Sequence, residues 1–153
     1  MRWDELAREE CSLARALAVV GDRWTLLILR EAFLKVRRFD AFQARLGLAR
    51  RVLAERLAGL VNDGVLERVA YQERPPRYEY RLTGKGLDLY PVVLSLVHWG
   101  DAHCGGDDGP PVVHRHRTCG HDFRSVLTCS ACGDPVDARD VQPRRAAGEP
   151  AIS

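Results

Sequence analysis

Apolar residues return every three or four positions from Ser12 to Val20 and again from Arg23 to Leu34, where Trp24, Leu27, Ile28 and Leu34 form a wide apolar face. This spacing predicts two helices on either side of Gly21, with Asp22 as the N-cap of the second. Phe39, Phe42 and Leu46 recur at the same interval, which predicts a short helix capped by Asp40 and closed by Gly47. A further helix follows the Leu48 turn and runs to Asn62-Asp63-Gly64, where the glycine can take the left-handed conformation that ends a helix. Two short helices joined by a glycine-containing turn predict a helix-turn-helix.

The period then changes. Val65 to Tyr71 reads as a strand, Gln72 to Pro76 as a loop, and Arg77 to Leu82 as a return strand with Tyr78, Tyr80 and Leu82 on one face. A hairpin after a helix-turn-helix is a wing. Thr83 can cap a long final helix through Trp99, whose apolar stripe of Leu87, Tyr90, Val93, Leu94 and Val97 is broader than one small domain covers, so a partner helix is expected. The predicted fold class is mainly α with a small β wing (α+β): a winged helix-turn-helix with long N- and C-terminal dimerisation helices, plus a small zinc-ribbon-like β appendage. The expected organisation is a DNA-binding and dimerisation domain over 1–104, a Gly/Pro linker over 105–113, a ribbon-like module over 114–142 and a disordered tail over 143–153.

Composition and charge refine this picture. The 153 residues are 46% hydrophobic and carry a formal net charge of +2. Residues 35–81 alone carry 11 basic and 6 acidic side chains, so a polyanion partner belongs to the first part of the chain. Of the 23 basic residues only Lys35 and Lys85 are lysine; the rest are arginine, able to hold phosphate or guanine bidentately. The longest stretch without charged residues, Leu89 to Gly100, is too short to span a bilayer, and no leader pattern opens the chain, so a cytoplasmic location and no membrane partner are expected.

With Leu53, Leu57 and Leu60 facing inward on the helix over 49–63, Arg51, Glu55, Ala58 and Asn62 point the opposite way and Arg50 flanks the first turn. The first turn of the second helix is what enters a major groove, so Arg50 and Arg51 are candidates for guanine or phosphate contacts. Glu55 either accepts from a cytosine amine or pairs with Arg51. Arg56, at the border of the core face, is either a structural ion pair or a phosphate contact. Arg37 and Arg38 before the short helix, and Arg74 and Arg77 around the wing prolines, are placed to reach backbone phosphates or a minor groove.

Cys104, Cys119, Cys129 and Cys132 cluster late in the chain, which in a cytosolic protein argues for metal before disulfides. His116-Arg117-Thr118-Cys119-Gly120 and Cys129-Ser130-Ala131-Cys132-Gly133 repeat the pattern ligand, two spacers, cysteine, glycine. Two spacers let both side chains reach one tetrahedral ion, and the glycine permits the turn that aims amides at sulfur. The expected cofactor is a structural Zn²⁺ on His116, Cys119, Cys129 and Cys132, with Cys104 or His114 as alternative fourth ligands and a strand over Asp122 to Leu127 between the knuckles; the competing reading is a degenerate, metal-free ribbon.

Cys11, the run Leu17-Ala18-Val19-Val20-Gly21-Asp22-Arg23-Trp24-Thr25-Leu26-Leu27-Ile28-Leu29, then Arg38-Phe39, Leu53-Ala54-Glu55-Arg56-Leu57, Asp63-Gly64-Val65-Leu66, Pro75-Pro76-Arg77-Tyr78-Glu79-Tyr80 and Leu82-Thr83-Gly84-Lys85-Gly86 occur in order and at fixed spacing. Over roughly residues 8–102 this resembles the HxlR-type winged-helix transcriptional regulators. The resemblance implies a DNA-binding repressor or activator that acts as a homodimer, with the first and last helices forming much of the contact. It also implies Cys11 as a sensor of oxidants or electrophiles, and Lys35 stands where such proteins often carry glycine. The expected function is a sequence-specific regulator on a palindromic operator, responsive to redox state or to a small-molecule effector. The competing reading is a winged-helix and zinc-ribbon adaptor for protein assembly. An enzyme is not expected: no glycine-rich phosphate loop follows a strand, and no Ser, His and acid group forms a nucleophile motif.

Overall fold

The computed structural model describes residues 11–106 and 109–143. In chain order it contains α1 (Ser12–Val20), α2 (Arg23–Phe33), α3 (Phe39–Leu46), α4 (Arg50–Asn62), β1 (Leu66–Gln72), β2 (Arg77–Leu82), the single turn α5 (Gly84–Leu87) and α6 (Tyr90–His103). The chain divides into two units, Met1–Trp99 and Gly100–Ser153. The first is an α+β winged helix. Among the described residues no helix is long and apolar enough to cross a membrane.

Its core is what the helical spacing predicts. Ile28 and Leu29 from α2, Phe42 from α3, Leu53, Leu57 and Leu60 from α4, and Val65 and Leu66 entering β1 are each at most 2% exposed. Burial of each such side chain contributes about 1.5–3 kcal/mol, so the two helices of the helix-turn-helix are positioned by their shared apolar side. Behind that side, Glu31 is buried and its carboxylate is held by Arg30 and by Arg45 of α3, which joins α2 to α3. β1 and β2 pair antiparallel, with Leu66 opposite Leu82 and Arg68 opposite Tyr80.

Asp22 caps α2 as expected, accepting from the amides of Trp24 (2.9 Å) and Thr25 (3.3 Å). Asp40 does not cap α3. Arg38 sits at the N-cap position, extended and without a side-chain cap bond. It is drawn there by a β-bridge to Glu79 and by the Tyr80 amide, which donates to the Arg37 carbonyl at 2.8 Å. The helix therefore starts at Phe39 and leaves Asp40 in its first turn.

The final helix is broken, contrary to the continuous run expected from Thr83. The Thr83 hydroxyl accepts from the Gly86 amide at 3.1 Å and caps only α5. Pro91 explains the break: in a continuous helix its ring would meet the Leu87 carbonyl and it has no amide to donate there. Thr83 also fastens this turn to the end of α4, donating from its hydroxyl to the Gly64 carbonyl at 2.6 Å, and Lys85 Nζ donates to the Asp63 carbonyl at 2.7 Å.

Lys35 has φ +66°, a left-handed conformation that costs a side chain about 1–2 kcal/mol. Its amide donates to Ala32 and that of Val36 to Glu31, both at 3.0 Å, so the turn closes α2 as a glycine would. Lys35→Gly is expected to raise unfolding stability by about 1 kcal/mol, after the greater entropy of glycine in the unfolded chain is subtracted. Urea denaturation would show this as a higher midpoint at constant slope; a lower midpoint would mean that the lysine side chain supplies more than its backbone strain removes.

In the second unit two small hairpins follow the end of α6. They are marked by bridges between Arg115 and Asp122 and between Thr128 and Pro135. The strand expected over Asp122 to Leu127 is absent among the described residues. Each end of that segment pairs back onto its own hairpin, which leaves no continuous ladder between them. Of the expected disordered tail only Pro143 is described; 144–153 lie outside the described residues, as do 107 and 108 of the expected linker.

Candidate nucleic-acid interface

Leu53, Leu57 and Leu60 anchor α4 inward, so Arg51, Glu55 and Ala58 are exposed on its other side. The N-termini of α3 and α4 face the wing across an open groove of about 580 Å³ lined by Arg38, Arg50, Arg68, Arg77, Tyr71 and Tyr78, among others. Three of these arginines stack on aromatic rings. The Arg38 guanidinium lies 4.7 Å from the Tyr71 ring centre, that of Arg50 lies 4.7 Å from Phe39, and that of Arg68 lies 3.6 Å from Tyr78. Such stacking restrains a long side chain while leaving its N–H groups available for an anion.

The sequence-predicted arginines divide by their partners. Arg38 also lies 3.6 Å from Glu79, and Arg50 lies 3.5 Å from the exposed Asp40. Arg56 turns away from the groove to Asp22 at 3.1 Å, with Glu55 at 3.5 Å. This is the ion-pair alternative for Arg56, and it gives Glu55 a partner other than Arg51. Asp22 thereby caps α2 and holds α4 with one carboxylate, beside a separate 340 Å³ pocket between α1 and α4. Among the described residues the side chains of Arg37, Arg51, Arg74 and Arg77 pair with no carboxylate; of these, only Arg77 belongs to the groove lining.

Arg68 was not singled out by sequence reasoning. Its signal is the hairpin register, which places Leu66, Arg68 and Ala70 opposite Leu82, Tyr80 and Tyr78 and so puts one cation on the tyrosine face.

Apolar side chains remain uncovered on both terminal helices. Leu13 and Leu17 of α1 and Val92, Leu96 and Trp99 of α6 are exposed, with Trp99 at 61%, while Val93 and Leu94 of α6 are buried. Cys11 is exposed at the N-cap position of α1.

In the second unit the predicted ligands form two pairs. His116 Nδ1 lies 3.3 Å from Cys119 Sγ. Cys129 accepts from the backbone amides of Cys132 and Ala131 and interacts with the Cys132 thiol, which together hold its thiol below the ordinary cysteine value. Among the described residues no group of three or more His, Cys, Asp or Glu side chains converges. The fold thus brings His116 to Cys119 and Cys129 to Cys132, and not all four to one point. Cys104 lies just past α6, its amide donating to the Gly100 carbonyl at 2.7 Å.

The sequence profile of the HxlR-like helix-turn-helix family matches residues 19–108. An HTH-type transcriptional regulator of Mycobacterium tuberculosis is 47% identical over 137 residues, which cover 90% of this chain and 87% of the relative. The crystal structure of PA1607, a proposed transcription factor, superposes with a TM-score of 0.83 at 37% identity over 92% of this chain and 99% of its own. Both matches are longer than the family-profile span, so each reaches into the C-terminal segment. The redox regulator HypR in its reduced form has a TM-score of 0.57 at 29% identity over 61% of this chain and 94% of its own, and its oxidized form is similar as well.

Proposed function

Because the chain belongs to the HxlR-like helix-turn-helix family, whose relatives here are transcriptional regulators, we propose that it binds a palindromic DNA operator as a homodimer and responds to oxidation at Cys11. The observation that carries the reading is the groove in which stacked, exposed arginines from the N-cap of α3, the first turn of α4 and the wing converge. That is the arrangement needed to track a phosphate backbone while one helix enters the major groove.

Dimerisation is supported by the uncovered apolar faces of α1 and α6, which a second copy would cover by a self-complementary contact. Each protomer then presents its α4 to one half-site. Sensing is supported by the exposure of Cys11 and by the likeness to a regulator solved in reduced and oxidized forms.

Selection of bound sequences from a random DNA pool, with and without diamide, tests these statements together. The expected result is a motif with dyad symmetry whose two halves lie about one helical turn apart. Its recovery should change with diamide in the wild type and not in Cys11→Ser. No enriched motif would overturn the DNA reading in favour of an adaptor; an enriched motif without symmetry would overturn the dimer, and an unchanged diamide response in Cys11→Ser would remove that thiol from the mechanism.

A further inference from the structure

We propose that the two knuckles of the C-terminal segment together bind one zinc-class divalent metal ion, with Nδ1 of His116 and the sulfurs of Cys119, Cys129 and Cys132 as its four ligands. The first ground is an exact backbone repeat with an offset of 13 residues. The His116 amide donates to the His121 carbonyl (2.9 Å) as Cys129 does to Asp134 (2.8 Å); Gly120 donates to His116 as Gly133 does to Cys129 (both 2.8 Å); Phe123 donates to His114 (3.0 Å) as Val136 does to Leu127 (2.8 Å). Gly120 and Gly133 are both left-handed, with φ +71° and +81°. The repeat equates His116 with Cys129 and Cys119 with Cys132. It equates His114 with Leu127, which is no ligand, and gives Cys104 no counterpart, so the alternative donors left open by the sequence are disfavoured.

The second ground is the spacing of the donor atoms. Metal–nitrogen and metal–sulfur bonds of about 2.0 and 2.3 Å at a tetrahedral angle place N and S about 3.5 Å apart. His116 Nδ1 and Cys119 Sγ are 3.3 Å apart. The ring thus presents Nδ1 toward the Cys119 sulfur, and ligation through Nδ1 would leave its proton on Nε2.

The third ground is energetic. None of the described residues from 109 to 143 is buried, although the hairpins and their turns are well formed. Hydrophobic burial does not hold such a segment, and small units of this kind depend on a cross-link or a metal. Four-ligand closure supplies that constraint. The four side chains do not converge in the structure, so closure on one ion has to draw the His116–Cys119 pair and the Cys129–Cys132 pair together. The ion displaces the three thiol protons to solvent, and the resulting site, two positive charges and three thiolates with a neutral imidazole, has no open position for catalysis.

Full-length protein purified without chelators, or refolded with excess zinc and desalted, should contain about one zinc per chain by elemental analysis. Cys119→Ser, Cys129→Ser and Cys132→Ser should each lose most of it; His116→Cys should keep it, as should His114→Ala and Cys104→Ser. Replacement by Co²⁺ should produce the intense visible absorption of a four-coordinate ion together with a thiolate charge-transfer band. Less than about half an equivalent of zinc, or a weak six-coordinate cobalt spectrum, would overturn the site. Loss of metal on Cys104→Ser or His114→Ala with retention on His116→Ala would overturn its ligand set. Should the cysteine variants fail to fold, the cobalt spectrum of the wild type decides alone.

Discussion

Gly86→Ala is expected to lower the unfolding free energy of the winged helix by about 3 kcal/mol, the upper end of the range for overpacking. A Cβ at this position would stand 2.2 Å from the Val65 carbonyl oxygen and 3.0 Å from Leu82 Cδ2. The nearer obstacle is backbone and cannot rotate aside as a side chain would. That same carbonyl accepts from the Thr83 amide at 3.1 Å, so displacing it also weakens a hydrogen bond at a fully buried residue. Such a bond is worth about 1 kcal/mol. For a domain of this size the loss corresponds to a fall in melting temperature of about 12–24 °C. Gly84→Ala, two residues earlier in the same turn, meets nothing within 4 Å and should change stability by less than about 0.5 kcal/mol. Equal effects of the two substitutions in thermal or urea unfolding would show that close approach to Val65 is not what requires glycine.

The second large effect is on DNA. On a selected operator, Arg51→Ala is expected to reduce affinity about 10–100-fold and to flatten discrimination at one base position, whereas Arg74→Ala should weaken all sequences alike and lower the salt slope by about one. Arg51 is chosen over its neighbour for a physical reason. Arg50 is stacked on Phe39 and faces Asp40, but Arg51 projects from the first turn of α4 with no carboxylate partner among the described residues. Arg74 lies in the loop between the wing strands, where a phosphate contact carries no sequence information. Both residues are exposed, so stability should change by no more than about 0.5 kcal/mol and the two losses can be read as binding. Titrations at several salt concentrations against operator and scrambled duplexes separate them; a uniform loss for Arg51→Ala would take it off the base edges.

Periodicity carries the core of the fold in the sequence itself. The inward leucines of α4, the Asp22 cap and the period change at the wing are local signals, and tertiary structure agrees with them. Local signals fail where a distant partner intervenes. Asp40 looks like a cap, but the β-bridge of Arg38 to Glu79 moves the helix start. The final helix reads as continuous if the stripe alone is followed, and Pro91 breaks it. At the interface, residue type identified the arginines but not their commitments: Arg56 is drawn to Asp22, more than 30 positions away, and Arg68 becomes part of the groove only once strand register is set. In the C-terminal segment the repeated spacing and turn glycine make the two knuckles legible as equivalents, while the matching bonds that extend each turn, Phe123 to His114 and Val136 to Leu127, are not encoded by that spacing.

The same exposed segment affects how unfolding is measured. The heat-capacity increment of unfolding and the denaturant slope both scale with surface newly exposed to water. Residues 109–143 bury no side chain fully, so they have little such surface to release. A calorimetric or urea transition of the whole chain therefore reports almost entirely on the winged helix. The C-terminal segment can open or close with scarcely a trace in either curve, and its state has to be followed by a probe placed within it.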